Sequence, residues 1–116
     1  MKLTDEQRIA VCRILLDVVG EEGSNVSVDN SCHYLVLCEK IQLKQEDYFA
    51  ASRMTVLSSL AIVRDIHYQL KMLIGMVVHD LYSQNERITV RQRIAFSILM
   101  NAIDWPISFS EISSLS

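Results

Sequence analysis

Val18-Val19-Gly20-Glu21-Glu22-Gly23-Ser24-Asn25-Val26-Ser27-Val28 is answered later in the chain by Val77-Val78, a polar stretch from His79 to Arg87, and Ile88-Thr89-Val90. Each run leaves an apolar segment, crosses a polar stretch and enters a new apolar segment, one reaching Ile41 and the other Ile103. In both, a Ser or Thr stands between two apolar residues at the point where a helix would start, the position that favours a hydroxyl cap. The chain therefore reads as a duplicated helical unit: an all-α, single-domain bundle over residues 1–116 with about six or seven helices and two pseudo-repeats.

The caps extend this reading in both directions. Thr4-Asp5-Glu6-Gln7 has the spacing of a capping box and predicts a first helix running to about Val19. Its buried face is Ile9, Cys12, Leu16 and Val19, widened by Val11, Leu15 and Val18, with Arg13 and Asp17 on the wet stripe. Ser27 is expected to cap a second helix with Val28, Cys32, Leu35 and Val36 inward and Asp29, His33 and Lys40 outward. A shorter helix follows Lys44 through about Ser52, with Tyr48, Phe49 and Ala51 closing over the first pair. The longest element is expected from about Thr55 to Tyr82, apolar on most sides and so central or part of an oligomer interface. Gly75 inside it costs about 1 kcal/mol relative to alanine, which points to another helix crossing closely there. Thr89-Val90-Arg91-Gln92 is a second capping box, for a helix burying Ile94, Ala95, Ile98, Leu99 and Ala102 while Arg93, Ser97 and Asn101 face water. Pro106 stops it, and Ser108-Phe109-Ser110-Glu111 opens a short terminal helix.

Composition narrows the function classes. Half of the 116 residues are hydrophobic, with one proline and three glycines, a balance that suits a packed helical core. The formal charge of -3 offers no general attraction to phosphate backbones, so nucleic acid is not an expected partner. Cys12, Cys32 and Cys38 lack Cys-x-x-Cys spacing and read as buried thiols in a reducing compartment. The charged N-terminus does not look like a signal peptide, and the most apolar stretch, Leu70 to Leu81, holds Lys71 and Asp80 and falls short of the roughly 20 apolar residues that span a bilayer. A cytoplasmic protein with no transmembrane segment is expected.

The repeated order of helix, polar loop, Ser/Thr-capped helix and short closing helix resembles the TerB-like family, named for tellurite-resistance proteins, over most of the chain. In that family each half carries an Asp-Gly loop, an Ile-Ser pair and a Glu three residues after the Ser, and the acidic positions are associated with metal binding. The matching run here is Asn85-Glu86-Arg87-Ile88-Thr89-Val90-Arg91-Gln92, with Asn85 at the Asp position and Gln92 at the Glu position. In the first half, Gly23 and Asn30 take those positions. The resemblance implies the fold and a stress-response setting. The substitutions remove the carboxylates that a hard cation needs to offset its dehydration.

Glu21, Glu22, Asp80 and Glu86, with His79, are the candidate ligands under the alternative reading, a metal- or ligand-binding protein such as a hydrolase. His67, His79-Asp80 and Asp104 follow the order used by HD-type phosphohydrolases. On one continuous helix, however, His67 and His79 would sit about 18 Å apart along the axis and about 120° out of register. Cys32 and His33, being adjacent, are expected on different parts of the helix surface. Arg87, Arg91 and Arg93 gather at a helix start, either as a site for an anion or an acidic partner or as partners of Glu86, Asp80 and Asp104. The aromatic residues are spread over the helices at core-like positions, and no Gly-rich turn presents a nucleophile or cradles phosphate. The expected function is a non-enzymatic interaction module with an unidentified protein partner, able to form a homo-oligomer and using no cofactor.

Overall fold

The computed structural model describes residues 2–23 and 26–115, and Ser24 and Asn25 of the first polar stretch lie outside them. Seven α-helices form among these residues: α1 Asp5–Glu22, α2 Cys32–Ile41, α3 Gln45–Ala51, α4 Val56–Arg64, α5 Tyr68–Ser83, α6 Val90–Ala102 and α7 Phe109–Ser113, with a 3-10 turn at Val28–Asn30 before α2. No strand occurs among them. No helix among them is long and apolar enough to cross a membrane.

The three capping boxes form as the sequence predicts. Thr4, Thr89 and Ser108 each accept from the amide three residues on, while Gln7, Gln92 and Glu111 bond back to the cap amide. These starts are legible because each box satisfies backbone donors that a helix N-terminus leaves open. Ser27 caps only the 3-10 turn, and Ser31 caps α2 by accepting from the Tyr34 amide at 3.1 Å.

The single long helix expected from Thr55 to Tyr82 is two helices. Twenty-eight residues of straight helix would measure roughly 42 Å, whereas the longest extent of the molecule is 35 Å. The chain breaks at Asp65-Ile66-His67, where His67 takes an extended conformation and its Nδ1 accepts from the Gln69 amide at 3.2 Å. Ile66 drops into the core at the break. This releases α4 to pack on α1 while α5 runs through the middle of the bundle against α1, α2, α6 and α7.

Two central helices, α1 and α5, thus carry most of the core. Ala10, Val11, Ile14, Leu15 and Val18 of α1 are buried, as are Leu70, Ile74, Val77, Val78 and Leu81 of α5. Gly75 marks a close crossing, as its position suggests. A methyl group there would lie 2.8 Å from Met100 Cε of α6 and 3.1 Å from Ile112 Cδ1 of α7. Near the other end of α1, Arg8 donates to the Asp47 carboxylate of α3 at 3.1 Å, to Asp5 and to the Leu3 carbonyl.

Two helices turn a different face inward from the one their sequence suggests. α2 buries Tyr34, Leu37 and Ile41, leaving Leu35 and Val36 exposed, and Cys32 is exposed as well. α6 buries Phe96 and Met100, with Ile103 just beyond its end, and exposes Ile94 and Ile98. Both helices are apolar on two sides, so the side-chain volume needed by the neighbours decides between faces. Phe96 meets Phe109 edge-on at 5.5 Å and Met100 covers Gly75, space that the smaller Ala95 and Ala102 would leave unfilled. Phe49 of α3, expected to close over the first helix pair, is also exposed, whereas Ala51 is buried.

Candidate functional site

Glu22 of the first polar stretch, and Ser27 just beyond that stretch, meet the second at Asn85 and Gln84. Gln84 clamps the Ser27 backbone, its Oε1 accepting from the Ser27 amide and its Nε2 donating to the Ser27 carbonyl, both at 2.8 Å. Beside it, Glu22 Oε1 accepts from Asn85 Nδ2 at 2.7 Å and from Gln92 Nε2 at 2.6 Å. With amides rather than acids at Asn85 and Gln92, Glu22 is a single carboxylate satisfied by two donors. The phenol of Tyr82 is pushed up to about 12, first by burial and then by Glu22 and Glu21.

The double variant N85D/Q92E tests this arrangement. With three carboxylates facing one another, the protein is expected to lose on the order of 2 kcal/mol of stability in chelator. Millimolar Ca²⁺ should then raise its melting temperature well above any effect on the parent chain. Equal calcium responses in parent and variant would mean that the three side chains do not share one site.

A second feature runs along α6. Val90, Ile94 and Ile98, at i, i+4 and i+8, are 72%, 55% and 65% exposed. Next to this stripe, Ile14, Val18, Leu60, Ala95, Leu99 and Ala102 line an apolar groove of about 220 Å³ between α1, α4 and α6, with Asp17 and Glu21 at its edge. In the first half, α2 packs directly on α5. The corresponding helices of the second half, α6 and α1, face each other across the groove. Arg91 lies close by, lining a depression with Glu21, Glu22 and Gln92.

The arginines do not pair as a self-contained surface network would require. Among the described residues, no guanidinium nitrogen of Arg87, Arg91 or Arg93 lies within 4.0 Å of a carboxylate oxygen, so the expected pairing with Glu86, Asp80 or Asp104 is not formed. Arg93 instead donates to Ser110 Oγ at 3.1 Å and lies 5.3 Å from the centre of the Phe109 ring. Glu86 and Arg87 are exposed.

The third feature corrects the expectation for Cys32 and His33. Asp80 Oδ2 accepts from Ser31 Oγ at 2.7 Å and lies 2.7 Å from His33 Nδ1, while Cys32 Sγ is 4.0 Å from that same nitrogen. One ligand atom from each of Cys32, His33 and Asp80 falls within 4.8 Å of the other two. Adjacent helical residues diverge by about 100°, but Nδ1 is the ring nitrogen nearest the backbone, and both side chains leave the first turn of α2 where α5 brings up Asp80. Only the packing of α2 on α5 makes this cluster, so no spacing within the sequence announces it.

The histidines of the HD-like order are parted. His67 caps α5 and stacks on Tyr68 at 4.6 Å, whereas His79 stacks on Phe109 at 4.4 Å and bonds Ser113 through Nε2 at 2.7 Å. Burial lowers the His79 pKa against the opposing pull of Asp80. The aromatic residues are less dispersed than the sequence suggests, because His79, Tyr82 and Phe96 all gather on Phe109. Of the three free cysteines, Cys12 is buried and its thiol pushed up to about 12 by desolvation, and burial also raises the half-buried Cys38. No family model matches the chain, and neither the curated proteins nor the solved structures contain a match.

Proposed function

We propose that this protein is a non-enzymatic helical interaction module that pairs with a second copy of itself through α6. The observation that carries this reading is the exposed stripe of Val90, Ile94 and Ile98 beside an apolar groove. An apolar helix face of this kind is a common mark of an interaction surface. Charge favours a second copy as the occupant. Asp17 and Glu21 border the groove, Arg87 and Arg91 lie at the N-terminal end of α6, and none of the four is in an ion pair among the described residues. A two-fold interface brings each patch against its own copy, so one surface carrying both signs is self-complementary.

The resemblance to TerB-like proteins extends the proposal to a stress-response setting, supported by the matching order of α1, loop, α2 and α3 with α5, loop, α6 and α7. A hard cation held by the loop carboxylates has less support, because the best-placed carboxylate, Glu22, already accepts from two amides.

Sedimentation equilibrium tests the pairing. The parent chain is expected to dimerise in the micromolar range. Burying two isoleucines contributes about 3 kcal/mol or more, so I94E/I98E should weaken association by more than about a hundredfold while leaving the helical circular dichroism intact. Leu35→Glu on the exposed side of α2 serves as the control and should change nothing. A parent chain that stays monomeric at high micromolar concentration would overturn the proposal.

A further inference from the structure

We propose that Cys32, His33 and Asp80 form a binding site for a thiophilic divalent transition metal, with Zn²⁺ the best match, at the junction of α2 and α5. The inference is independent of α6 pairing, since it uses other residues on other helices.

The donor set selects the class of ion. One sulfur, one imidazole nitrogen and one carboxylate oxygen suit a borderline-soft cation. Calcium and magnesium, which require mostly oxygen ligands, would find only one of the three suitable. The spacing is close to what a tetrahedral ion requires. Bonds of about 2.0 to 2.3 Å place tetrahedral ligand atoms roughly 3.3 to 3.8 Å apart. The three atoms here lie within 4.8 Å of one another, with Sγ 4.0 Å and Oδ2 2.7 Å from Nδ1. Small side-chain rotations, opening the His33 and Asp80 contact and drawing in the thiol, bring all three to bonding distance without moving a helix. Cys32 is exposed, so the ion has a path from solvent and a fourth position open to water.

Binding requires the Cys32 thiol to release its proton to solvent and the remaining His33 ring proton to reside on Nε2, leaving Nδ1 as the ligand. The surroundings of Asp80 already orient it. Ser31 Oγ donates to Oδ2, and the other oxygen faces His79 Nδ1 at 3.8 Å. His79 Nε2 lies 2.7 Å from Ser113 Oγ, and its buried Nδ1 has no hydrogen-bond partner among the described residues.

Cobalt(II) added to the full, reduced and chelator-treated chain tests the site, because a cobalt-thiolate bond gives a near-ultraviolet charge-transfer band that oxygen and nitrogen ligands do not. The expected result is one cobalt per chain with that band, displaced by Zn²⁺. Cys32→Ser should abolish the band and weaken zinc binding at least about tenfold, and His33→Gln should weaken it similarly with the band's intensity reduced. Cys38→Ser should behave as the parent does. Because Cys32 and His33 are not in the core, circular dichroism should show all three variants folded. Absence of the thiolate band in the parent chain, or undiminished zinc affinity in Cys32→Ser, would overturn the proposal.

Discussion

Phe96→Ala is expected to lower the unfolding free energy by about 3 to 5 kcal/mol, the range for emptying a fully buried aromatic position. Phe96 has no exposed surface and meets Phe109 edge-on, with ring centres 5.5 Å apart and planes at 85°. Phe109 in turn begins α7 and receives His79, Tyr82 and Arg93 around its ring. Removing the Phe96 ring therefore leaves a cavity and takes from the five-residue α7 one of the contacts that hold it. A five-residue helix has no stability of its own and depends on packing. Against a total of about 5 to 15 kcal/mol for a typical domain, the loss would shift the urea midpoint far to the left with the slope little changed. A measured loss below about 1 kcal/mol would mean that α6 does not turn Phe96 into the core.

Gly75→Leu should be comparably damaging, for the opposite reason. At Gly75 a β-carbon alone reaches 2.8 Å from Met100 Cε and 3.1 Å from Ile112 Cδ1. A leucine must push α6 and α7 away from α5, beyond the roughly 1 to 3 kcal/mol of ordinary overpacking, and the variant is expected to unfold or to lose the docking of α7. Gly75→Ala is milder. It gains about 1 kcal/mol of helix propensity and displaces the side-chain ends of Met100 and Ile112, so its net cost should be near 1 kcal/mol. Combining it with Met100→Ala distinguishes crowding from a backbone requirement. If crowding is the cause, the added methyl occupies part of the space that Met100 vacates, and the double variant is more stable than the sum of the single effects by at least about 0.5 kcal/mol. Strict additivity would remove the close crossing as the explanation.

The starts of α1, α6 and α7 were legible because their causes are local. A capping box needs four residues, and Thr4, Thr89 and Ser108 each have their partner three positions on. Gly75 was legible as a crossing because an interior helical glycine has a local cost that only a neighbour explains. The break at Asp65-Ile66-His67 was not, since no Gly or Pro marks it. It forms because one straight helix would exceed the bundle and because Ile66 gains a core position there.

The faces of α2 and α6 show where local information ended. Tyr34-Leu35-Val36-Leu37 and Ile94-Ala95-Phe96 offer apolar side chains in every direction, so periodicity alone does not select which ones are buried. Packing on α5 made the selection by volume, placing Leu37 and Phe96 inside and leaving Leu35 and Ile94 exposed. The sites follow the same division. The sequence by itself determined that amides stand at Asn85 and Gln92, that Arg87 and Arg91 lie near a helix start, and that two helical units follow one another, because these are matters of residue identity and short spacing. Only the tertiary structure decided that Glu22 meets Asn85 and Gln92, that α6 presents an apolar stripe, and that Asp80 joins Cys32 and His33 from 47 residues away along the chain. Those encounters depend on how α2, α5 and α6 pack, and packing is set by the summed volumes of many side chains at once, which no single stretch of sequence contains.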